Sequence, residues 1–326
     1  MGQSAGRLTN RRVLVTGGAG FIGSSLVDAL LSRENEVVCY DNLSPYYSGK
    51  EGNFKIHLTN AQYKFIQADI LDATALKKAA EGMNYIFHLA AQPGVRHSLL
   101  YPELVARTNV EGTVGLLEAA RIAGVHSVIF ASSSSVYGNP RKMPVQESES
   151  LNPISPYGAS KVAGEEYCKT YSTLYGMRIT ALRYFTVYGP RQRPDMAVRL
   201  FLREIENNRP VTVFGDGKQT RDLTFVDDIV AGTIASAEAN LGKYEVLNLG
   251  AGHRIELLEL IKTLARLAGK AHSFECKFEE PKAGDVSHTH ADCSKARRLI
   301  GFNPRTSLED GLLRFIEWYR SSVVQG

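Results

Sequence analysis

Apolar runs rich in β-branched residues alternate with segments of helical periodicity in the first half of the chain. The runs that have the composition of buried strands are residues 13–15, 37–40, 65–70, 85–91 and 128–131. The segments with helical spacing include residues 73–82 and 102–123. Strands that alternate with helices pair in parallel. The sequence therefore predicts an α/β fold built on a doubly wound parallel sheet of the Rossmann type.

The alternation becomes irregular from residue 186 onward. We predict a dinucleotide-binding domain over residues 1–185, to which residues 222–250 return, and a smaller α+β substrate-binding domain over 186–326. A length of 326 residues is sufficient for two such domains. The smaller domain is expected to cap the carboxyl edge of the sheet, and a final amphipathic helix is predicted at 307–319.

Three glycines, Gly17, Gly20 and Gly23, follow the first predicted strand and precede a helical pattern. Glycines at this spacing allow a tight turn, a close approach of the backbone to a pyrophosphate, and close packing of helix and strand. The second predicted strand ends at Asp41. An acid at that distance accepts a hydrogen bond from a ribose 2′-hydroxyl and repels a 2′-phosphate, so the sequence favours NAD over NADP.

Composition narrows the remaining classes of function. The formal charge of +4 comes from interspersed Lys and Arg rather than from a basic block, which argues against a nucleic-acid partner. The four cysteines show neither metal-finger nor C-x-x-C spacing, so no metal site is predicted. No run approaches 18 consecutive apolar residues, and residues 1–10 lack an apolar core. We therefore expect a cytoplasmic protein without a membrane partner.

Tyr157 and Lys161 lie four residues apart in a predicted helix that starts near Pro156. This spacing places both side chains on one face. An ammonium group beside a phenol stabilises the phenolate and lowers its pKa, so we expect Tyr157 to act as a general base. A serine-rich segment, residues 132–135, follows the fifth predicted strand, at the edge where such sheets bind ligands.

At this point the chain resembles the extended short-chain dehydrogenase/reductase family, and within it the nucleotide-sugar epimerases and dehydratases. The motifs that carry the resemblance are residues 16–23, Asp41, 88–91, 109–113, 132–138, Tyr157 with Lys161, 182–189, 221–222, 226–228, 248–250 and 284–285. They are distributed over nearly the whole chain. The resemblance also implies a homodimer, because helices at 102–123 and 157–175 correspond to those that form a four-helix contact in this family.

The resemblance assigns roles residue by residue. It implies that Ser133, Tyr157 and Lys161 are catalytic, with Ser133 hydrogen-bonded to the reacting hydroxyl. The positions it assigns to NAD are Gly17, Gly20, Phe21, Ile22, Gly23, Asp41, Asn42, Asp69, Ile70, Leu89, Ala90, Ala91, Asn109, Tyr157, Lys161 and Tyr184. The positions it assigns to the nucleotide sugar are Ser134, Ser135, Thr186, Arg193, Phe214, Arg221, Lys282, Asp285 and Thr289. Position 282 usually holds Arg, and Lys cannot make the same bidentate contact.

Two serines distinguish between the reactions of this family. The 4,6-dehydratases have an Asp-Glu pair where this chain has Ser134 and Ser135, and the uronate decarboxylases have Glu at the position of Ser135. Without an additional acid or base, a 4-keto sugar can only rotate and take its hydride back on the other face. The expected reaction is 4-epimerisation with tightly held NAD. A 4,6-dehydratase or reductase and a non-catalytic NAD sensor are the competing hypotheses.

The sugar is predicted from Thr186, which replaces the Asn usual in glucose/galactose epimerases, and from residues 188–197. These features, with residues 92–98 and the serines, look most like UDP-glucuronate 4-epimerases. Hydroxyls from Ser134, Ser135 and Thr186, with Arg193, would hold the carboxylate of the uronate. The small Thr289 leaves UDP-glucose and N-acetylated sugars open as alternatives, and the sequence does not choose between uracil and thymine in the substrate.

Overall fold

The computed structural model describes residues 7–282 and 284–322. The strands of the described residues are, in chain order, β1 (Arg12–Thr16), β2 (Glu36–Asp41), β3 (Tyr63–Gln67), β4 (Tyr85–His88), β5 (Ser127–Ser133), β6 (Arg178–Tyr184), β7 (Thr186–Tyr188), β8 (Val211–Phe214), β9 (Thr220–Arg221), β10 (Leu223–Phe225), β11 (Tyr244–Leu249), β12 (Ile255–Glu256) and β13 (Cys276–Glu279). The α-helices are α1 (Phe21–Leu31), α2 (Lys50–Lys55), α3 (Ala73–Ala80), α4 (Val95–Leu100), α5 (Pro102–Ala106), α6 (Gly112–Ile122), α7 (Pro156–Tyr175), α8 (Ala197–Glu206), α9 (Val226–Glu238), α10 (Leu257–Leu267), α11 (Ser294–Ile300) and α12 (Leu308–Ser322).

Seven parallel strands form the main sheet in the order β3-β2-β1-β4-β5-β6-β11. The strand order reverses between β1 and β4, and ligands bind outside the carboxyl ends of the strands at such a reversal. Successive side chains of β1 pack on opposite faces, with Val13 and Val15 in one apolar cluster and Leu14 in the other. The predicted Rossmann-type α/β class is confirmed.

The second half of the chain contributes to both parts of the molecule. Strand β11 pairs with β6, so the end of the returning segment 222–250 lies in the main sheet. The remaining strands form two-stranded sheets, β10 with β7, β12 with β9 and β13 with β8. The exact domain boundary near residue 186 stays a prediction. Strand β7 follows β6 of the main sheet directly in the chain, but it pairs with β10 rather than with the main sheet.

Two predicted elements differ from the structure in instructive ways. The apolar pattern at 102–123 predicts one helix, whereas the structure has α5 and α6 joined by a π-helical turn, Arg107–Glu111. Val105 and Val110 are five residues apart, which is the spacing of a π-helical turn, but the spacing after Val110 is again that of an α-helix, so the pattern as a whole predicts one helix. Strand β4 ends at His88, earlier than the predicted residue 91, and residues 89–91 line a cavity instead of pairing.

A buried ion pair fastens helix α7 to the sheet. The carboxylate of Glu165 accepts two hydrogen bonds from Arg183, from Nε at 2.9 Å and from Nη2 at 2.7 Å, and a third from the hydroxyl of Ser132 at 2.5 Å. The side chains of Glu165 and Arg183 are only 3% and 5% exposed. Because Ser132 lies on β5 and Arg183 on β6, this network fixes the position of the helix that carries Tyr157.

Candidate active site

The turn after β1 forms a cradle that only glycine backbone fits. Gly17 has φ of 71°, and a Cβ at this position would lie 2.7 Å from the backbone nitrogen of Ala90. A Cβ at Gly23 would overlap the carbonyl oxygen of Gly17. Helix α1 begins immediately after the turn, at Phe21, so its unpaired N–H groups face the same space. This arrangement fits the pyrophosphate of a dinucleotide.

The cradle opens into an elongated cavity at the carboxyl edge of the sheet, which we call the central cavity. The predicted site residues that line it are Gly17, Gly20, Phe21, Ile22, Gly23, Asp41, Asn42, Asp69, Ile70, Leu89, Ala90, Ala91, Tyr157, Lys161, Tyr184 and Arg193. Residues that are far apart in the sequence, from Gly17 to Arg193, thus line the same cavity. Their roles toward NAD remain proposals that this geometry supports.

Gly23→Ala is expected to deplete the protein of its dinucleotide. The added methyl would force the turn away from Gly17, and overpacking of this kind costs about 1 to 3 kcal/mol of folding free energy. The measurements are the NAD content per chain of the purified protein and its thermal unfolding midpoint. Gly52→Ala is the matched control, because a Cβ at Gly52 in α2 would meet nothing within 4 Å. Equal NAD content in both variants would contradict the cradle.

Asp41 is buried at the end of β2. Its Oδ2 accepts a hydrogen bond from the Ala19 backbone at 3.2 Å, and its Oδ1 accepts one from the Leu43 backbone at 2.9 Å. Burial raises the pKa of Asp41, while the charge of Lys50 and the two backbone hydrogen bonds lower it. Each oxygen retains a free lone pair, so the predicted contact with a ribose hydroxyl is sterically and chemically available.

Tyr157 lies in the first turn of α7, which the hydroxyl of Ser155 caps by accepting from the backbone of Gly158 at 3.1 Å. Lys161 follows one turn later and is buried. Its Nζ donates to the carbonyl oxygen of Ala131 at 2.8 Å and lies 5.9 Å from the centroid of the Tyr157 ring. The structure therefore brings the predicted Tyr and Lys together at the end of β5.

The electrostatics of Tyr157 differ from the sequence prediction. Burial raises the pKa of the phenol, and the groups that lower it are Arg193, by its charge, and Ser133, by a hydrogen bond. Lys161 points its ammonium at Ala131 and stands over the ring rather than at the hydroxyl. Burial also lowers the pKa of Lys161 to about 8. Arg193 is thus a second cation, beside the predicted Lys161, whose charge favours the phenolate of Tyr157.

The serines after β5 adopt a short helical turn, Ser134–Val136. Ser133 caps this turn: its hydroxyl accepts from the Ser135 backbone and donates to the Ser135 hydroxyl, both at 3.1 Å. Thr186 begins β7, next in sequence to the strand that ends with Tyr184. The hydroxyl of Ser133 also lowers the pKa of Tyr157, and Ser133, Ser134, Ser135 and Thr186 are not among the residues that line the central cavity.

A second group of predicted residues lies between the two halves of the chain. Arg96 of α4 donates from Nη2 to Asp285 at 2.8 Å, and its guanidinium lies 4.6 Å from the centroid of Phe214. The Nζ of Lys282 lies 4.7 Å from the same ring. The charges of Asp285 and Arg96 act on the half-buried Arg221, which completes the group. Arg96 was not predicted, because a single Arg in a polar loop gives no periodic or spacing signal.

Thr289 and Asn109 hold other parts of the chain in place. The hydroxyl of Thr289 accepts from the Asp222 backbone at 2.9 Å, which joins it to β9 rather than to the central cavity. Asn109 lies in the π-helical turn, where its amide oxygen accepts from the Gln92 backbone at 2.7 Å and its amide nitrogen donates to Ser160 at 2.9 Å. Both side chains brace neighbouring loops, and their roles toward NAD and the sugar stay predictions. Tyr184 does line the cavity.

Four residues of the segment after β2 also line the central cavity and were not predicted as site residues. They are Ser44, Tyr46, Tyr47 and Lys50. The ammonium of Lys50 donates to the carbonyl oxygen of Ser44 at 3.1 Å and lies 4.7 Å from the centroid of Tyr47. The loop reads as an exposed turn in the sequence because Ser, Pro and Gly surround these side chains.

Comparison with known proteins places this geometry in a family. Residues 13–250 match the model of the NAD dependent epimerase/dehydratase family. The chain belongs to this family. The match covers more than half of the chain and includes the cradle, Tyr157 and Lys161.

Individual relatives match over nearly their full length. The chain is 40% identical to UDP-glucuronate 4-epimerase of Thermodesulfobacterium geofontis, covering 95% of this chain and 96% of the relative. It is 41% identical to an uncharacterized UDP-glucose epimerase of Bacillus subtilis, covering 97% and 99%. The crystal structure of UDP-glucuronic acid 4-epimerase from Bacillus cereus, in complex with UDP-glucuronic acid and NAD, has a TM-score of 0.89 at 39% identity and covers 95% of this chain and 99% of that chain.

These similarities confirm the predicted family, the predicted class of isomerase and NAD as the cofactor. Among residues 7–282 and 284–322, none of the helices has both the length and the apolar character needed to cross a membrane. The same described residues contain no group of three or more His, Cys, Asp or Glu side chains arranged to hold a metal ion.

Proposed function

We propose that this protein interconverts UDP-glucuronate and UDP-galacturonate by 4-epimerisation with bound NAD. The observation that carries the proposal is the position of Tyr157, whose phenol lies in the central cavity with Ser133 and Arg193 acting on it. When bound, NAD accepts the C4 hydride and returns it. The rest of the chemistry falls to side chains of this chain.

Tyr157 removes the proton of the C4 hydroxyl and later gives it back. The hydroxyl of Ser133 hydrogen-bonds to the phenol and aligns it with the reacting oxygen. Lys161 anchors α7 through Ala131 and keeps a positive charge near the ring. Lys161 is buried and Tyr157 and Ser133 are half-buried, so a bound substrate that covers them would exclude water and strengthen their electrostatic effect on a developing negative charge.

The cavity lacks the groups that would divert a 4-keto sugar. The carboxylates among the described residues lining it, Asp41 and Asp69, belong to the ends of β2 and β3, whereas Tyr157 stands at the end of β5. Ser134 and Ser135 occupy the turn where a dehydratase carries its acid and base. Return of the hydride to the opposite face is therefore the outcome that these residues favour.

Arg193 supports a uronate as the sugar. Its side chain is 17% exposed, lines the central cavity and acts electrostatically on Tyr157, so it stands where a carboxylate near C4 would lie. A charge-assisted pair at this position would also hold the carboxylate of the keto sugar and oppose loss of CO2. UDP-glucose and UDP-N-acetylglucosamine are the alternative substrates.

Purified protein is expected to convert UDP-glucuronate with a higher kcat/KM than UDP-glucose or UDP-N-acetylglucosamine. Arg193→Met removes a charge that acts on Tyr157 whatever the substrate, so the decrease in kcat/KM should be larger for UDP-glucuronate than for UDP-glucose by about 10- to 100-fold, the worth of a hydrogen bond to a charged group. The assay resolves the C4 epimers of each sugar. Faster turnover of UDP-glucose by the unaltered protein would show that the uronate assignment is wrong.

We also propose that the protein is a homodimer. Apolar side chains of the helices α4 to α7 are exposed, and they are Leu100, Leu104, Ile122, Tyr167, Leu174 and Tyr175. Side chains of this size rarely remain in contact with water as a group, and the two helix regions are those expected to pair in this family.

The buried and unpaired thiols of Cys39, Cys168 and Cys293 fit a reducing compartment, so we propose the cytoplasm as the location of the protein.

Leu174→Glu should convert the dimer into a monomer. Leu174 is 67% exposed in the single chain, and a carboxylate buried against a second copy would lose its hydration. Light scattering after size-exclusion chromatography gives the mass directly. Leu313→Glu in α12, which is 42% exposed outside these helices, should leave the mass unchanged. A monomer in the unaltered protein would rule out the dimer.

A further inference from the structure

A hydrogen bond joins the loop after β2 to the loop after β7. The hydroxyl of Tyr46 donates to Oδ2 of Asp195 at 2.8 Å, across 149 residues of sequence. Tyr46 lines the central cavity, and Asp195 directly follows the stretch that contains Arg193, which also lines it. The bond therefore closes the wall of the cavity between these two loops, which no strand pairing joins.

Asp195 also holds Arg193 by two hydrogen bonds. Nε of Arg193 donates to Oδ1 at 2.9 Å, and Nη2 donates to Oδ2 at 3.0 Å. Burial opposes ionisation of Asp195, but the charge of Arg193 and the hydrogen bonds from Arg193 and Tyr46 lower its pKa, so it stays negative at neutral pH. One carboxylate thus serves both the wall of the cavity and the cation that acts on Tyr157.

We propose that Asp195 is a positioning residue that closes the central cavity around NAD through Tyr46 and sets, through Arg193, the positive charge that Tyr157 experiences. This inference rests on the proposed function, in which Tyr157 is the base. The first task is mechanical, because the two loops must separate before a dinucleotide leaves. The second is electrostatic, because the carboxylate offsets part of the guanidinium charge.

The two tasks separate in two variants. Tyr46→Phe removes the hydrogen bond that closes the wall and keeps the Asp195 charge and the aromatic ring, which packs edge-on against His97 at 4.5 Å between centroids. Asp195→Asn removes the charge and leaves Arg193 without its partner. The groups that face this pair and Tyr157 from neighbouring elements are Lys161, Tyr47, Lys50, Asp41, Arg199 and the uncharged His88. Neither variant alters any of them.

Retention of NAD tests the first task without substrate. Protein loaded with NAD is passed over a desalting column, and the NAD remaining on the chain is followed with time. We expect NAD to leave about 10-fold faster from Tyr46→Phe and from Asp195→Asn, since each loses a charge-assisted hydrogen bond. Asp227→Asn is the matched control, because Asp227 pairs with Arg314 on the surface, and it should retain NAD like the unaltered protein. Unaltered retention in both test variants would overturn the closure.

The pH dependence of kcat tests the second task. Tyr157 must lose its proton to act, so activity falls at low pH with the pKa of the phenol. Asp195→Asn leaves the Arg193 charge uncompensated and should move this acid limb about 0.5 unit toward lower pH, a modest shift because Asp195 is 38% exposed to solvent. Tyr46→Phe should leave the limb in place, and Asp195→Glu should restore it. If the acid limb of the kcat profile lies at the same pH in Asp195→Asn and in the unaltered protein, the electrostatic part of the proposal is overturned.

The NAD-retention readout is independent of the proposed function, whereas the pH dependence of kcat requires turnover. If no UDP-sugar is converted, the proposed function fails, yet NAD retention still reports on Tyr46 and Asp195. If Asp195→Asn does not fold, NAD retention by Tyr46→Phe tests the closure. The electrostatic part is then tested with Asp195→Glu, whose acid limb of kcat should lie at the same pH as that of the unaltered protein. A shifted limb in Asp195→Glu would then contradict the proposal.

Discussion

Tyr157→Phe is expected to lower turnover by about 10²- to 10⁴-fold, the usual contribution of a general base. The variant keeps the ring that lies in the central cavity and removes only the phenol oxygen. Binding of NAD and of UDP-sugar should therefore stay within about 0.6 kcal/mol of the unaltered protein, a factor of about three. Initial rates of epimer formation and calorimetric titration with UDP-glucuronate measure the two effects.

The control for this change is on the same helix. Tyr171 of α7 donates to the surface carboxylate of Glu118 at 3.4 Å and does not line the central cavity, so Tyr171→Phe should retain full turnover. A Tyr157→Phe protein that epimerises at a rate close to normal would mean that another group takes the C4 proton. A variant that lost its NAD together with its activity would show that the phenol holds the cofactor.

Glu165→Ala is expected to lower the free energy of unfolding by about 3 to 5 kcal/mol, because it leaves the buried Arg183 without its partner. Turnover should fall as well. Glu165 lies eight residues after Tyr157 on the same helix face, so loss of its contacts with β5 and β6 loosens the segment that positions the phenol. Denaturant titration and kcat measure the two consequences.

Glu118→Ala is the matched change on the surface. Glu118 also pairs with an arginine, Arg121, but its side chain is 36% exposed and water replaces the lost contact. Its effect on unfolding should be much smaller than that of Glu165→Ala. Substituting both members of the buried pair, with Glu165→Leu and Arg183→Met, should recover part of the stability, because no uncompensated charge then remains in the core. Equal stability of the Glu118 and Glu165 variants would contradict this view of the network.

The parts of the site that the sequence predicts are those set by local geometry. Gly17 and Gly23 must be glycine because a Cβ has no room there, Gly20 leaves only tight space for one, and the spacing of the three is visible without any knowledge of the fold. Tyr157 and Lys161 share a helix face because they are four residues apart. The order of strands and helices likewise predicts the parallel sheet, since parallel strands need crossover connections.

The parts that the sequence does not predict depend on contacts between distant segments. The bond from Tyr46 to Asp195 joins two loops whose composition indicates only turns. The π-helical turn that holds Asn109 leaves only one five-residue step in the apolar pattern, from Val105 to Val110, and a single such step does not end a predicted helix. The direction of the Lys161 ammonium depends on a carbonyl of β5, Ala131, and spacing along a helix carries no information about that acceptor.

The central claim is that Tyr157 and the dinucleotide held by the glycine cradle oxidise C4 of the sugar and reduce it again within one binding event. The most direct measurement uses UDP-glucuronate that carries deuterium at C4, incubated in ordinary water, with the isotope content of C4 read in the UDP-galacturonate formed. The account predicts that the product keeps its deuterium at C4. Product that has exchanged this deuterium for hydrogen from water would contradict it.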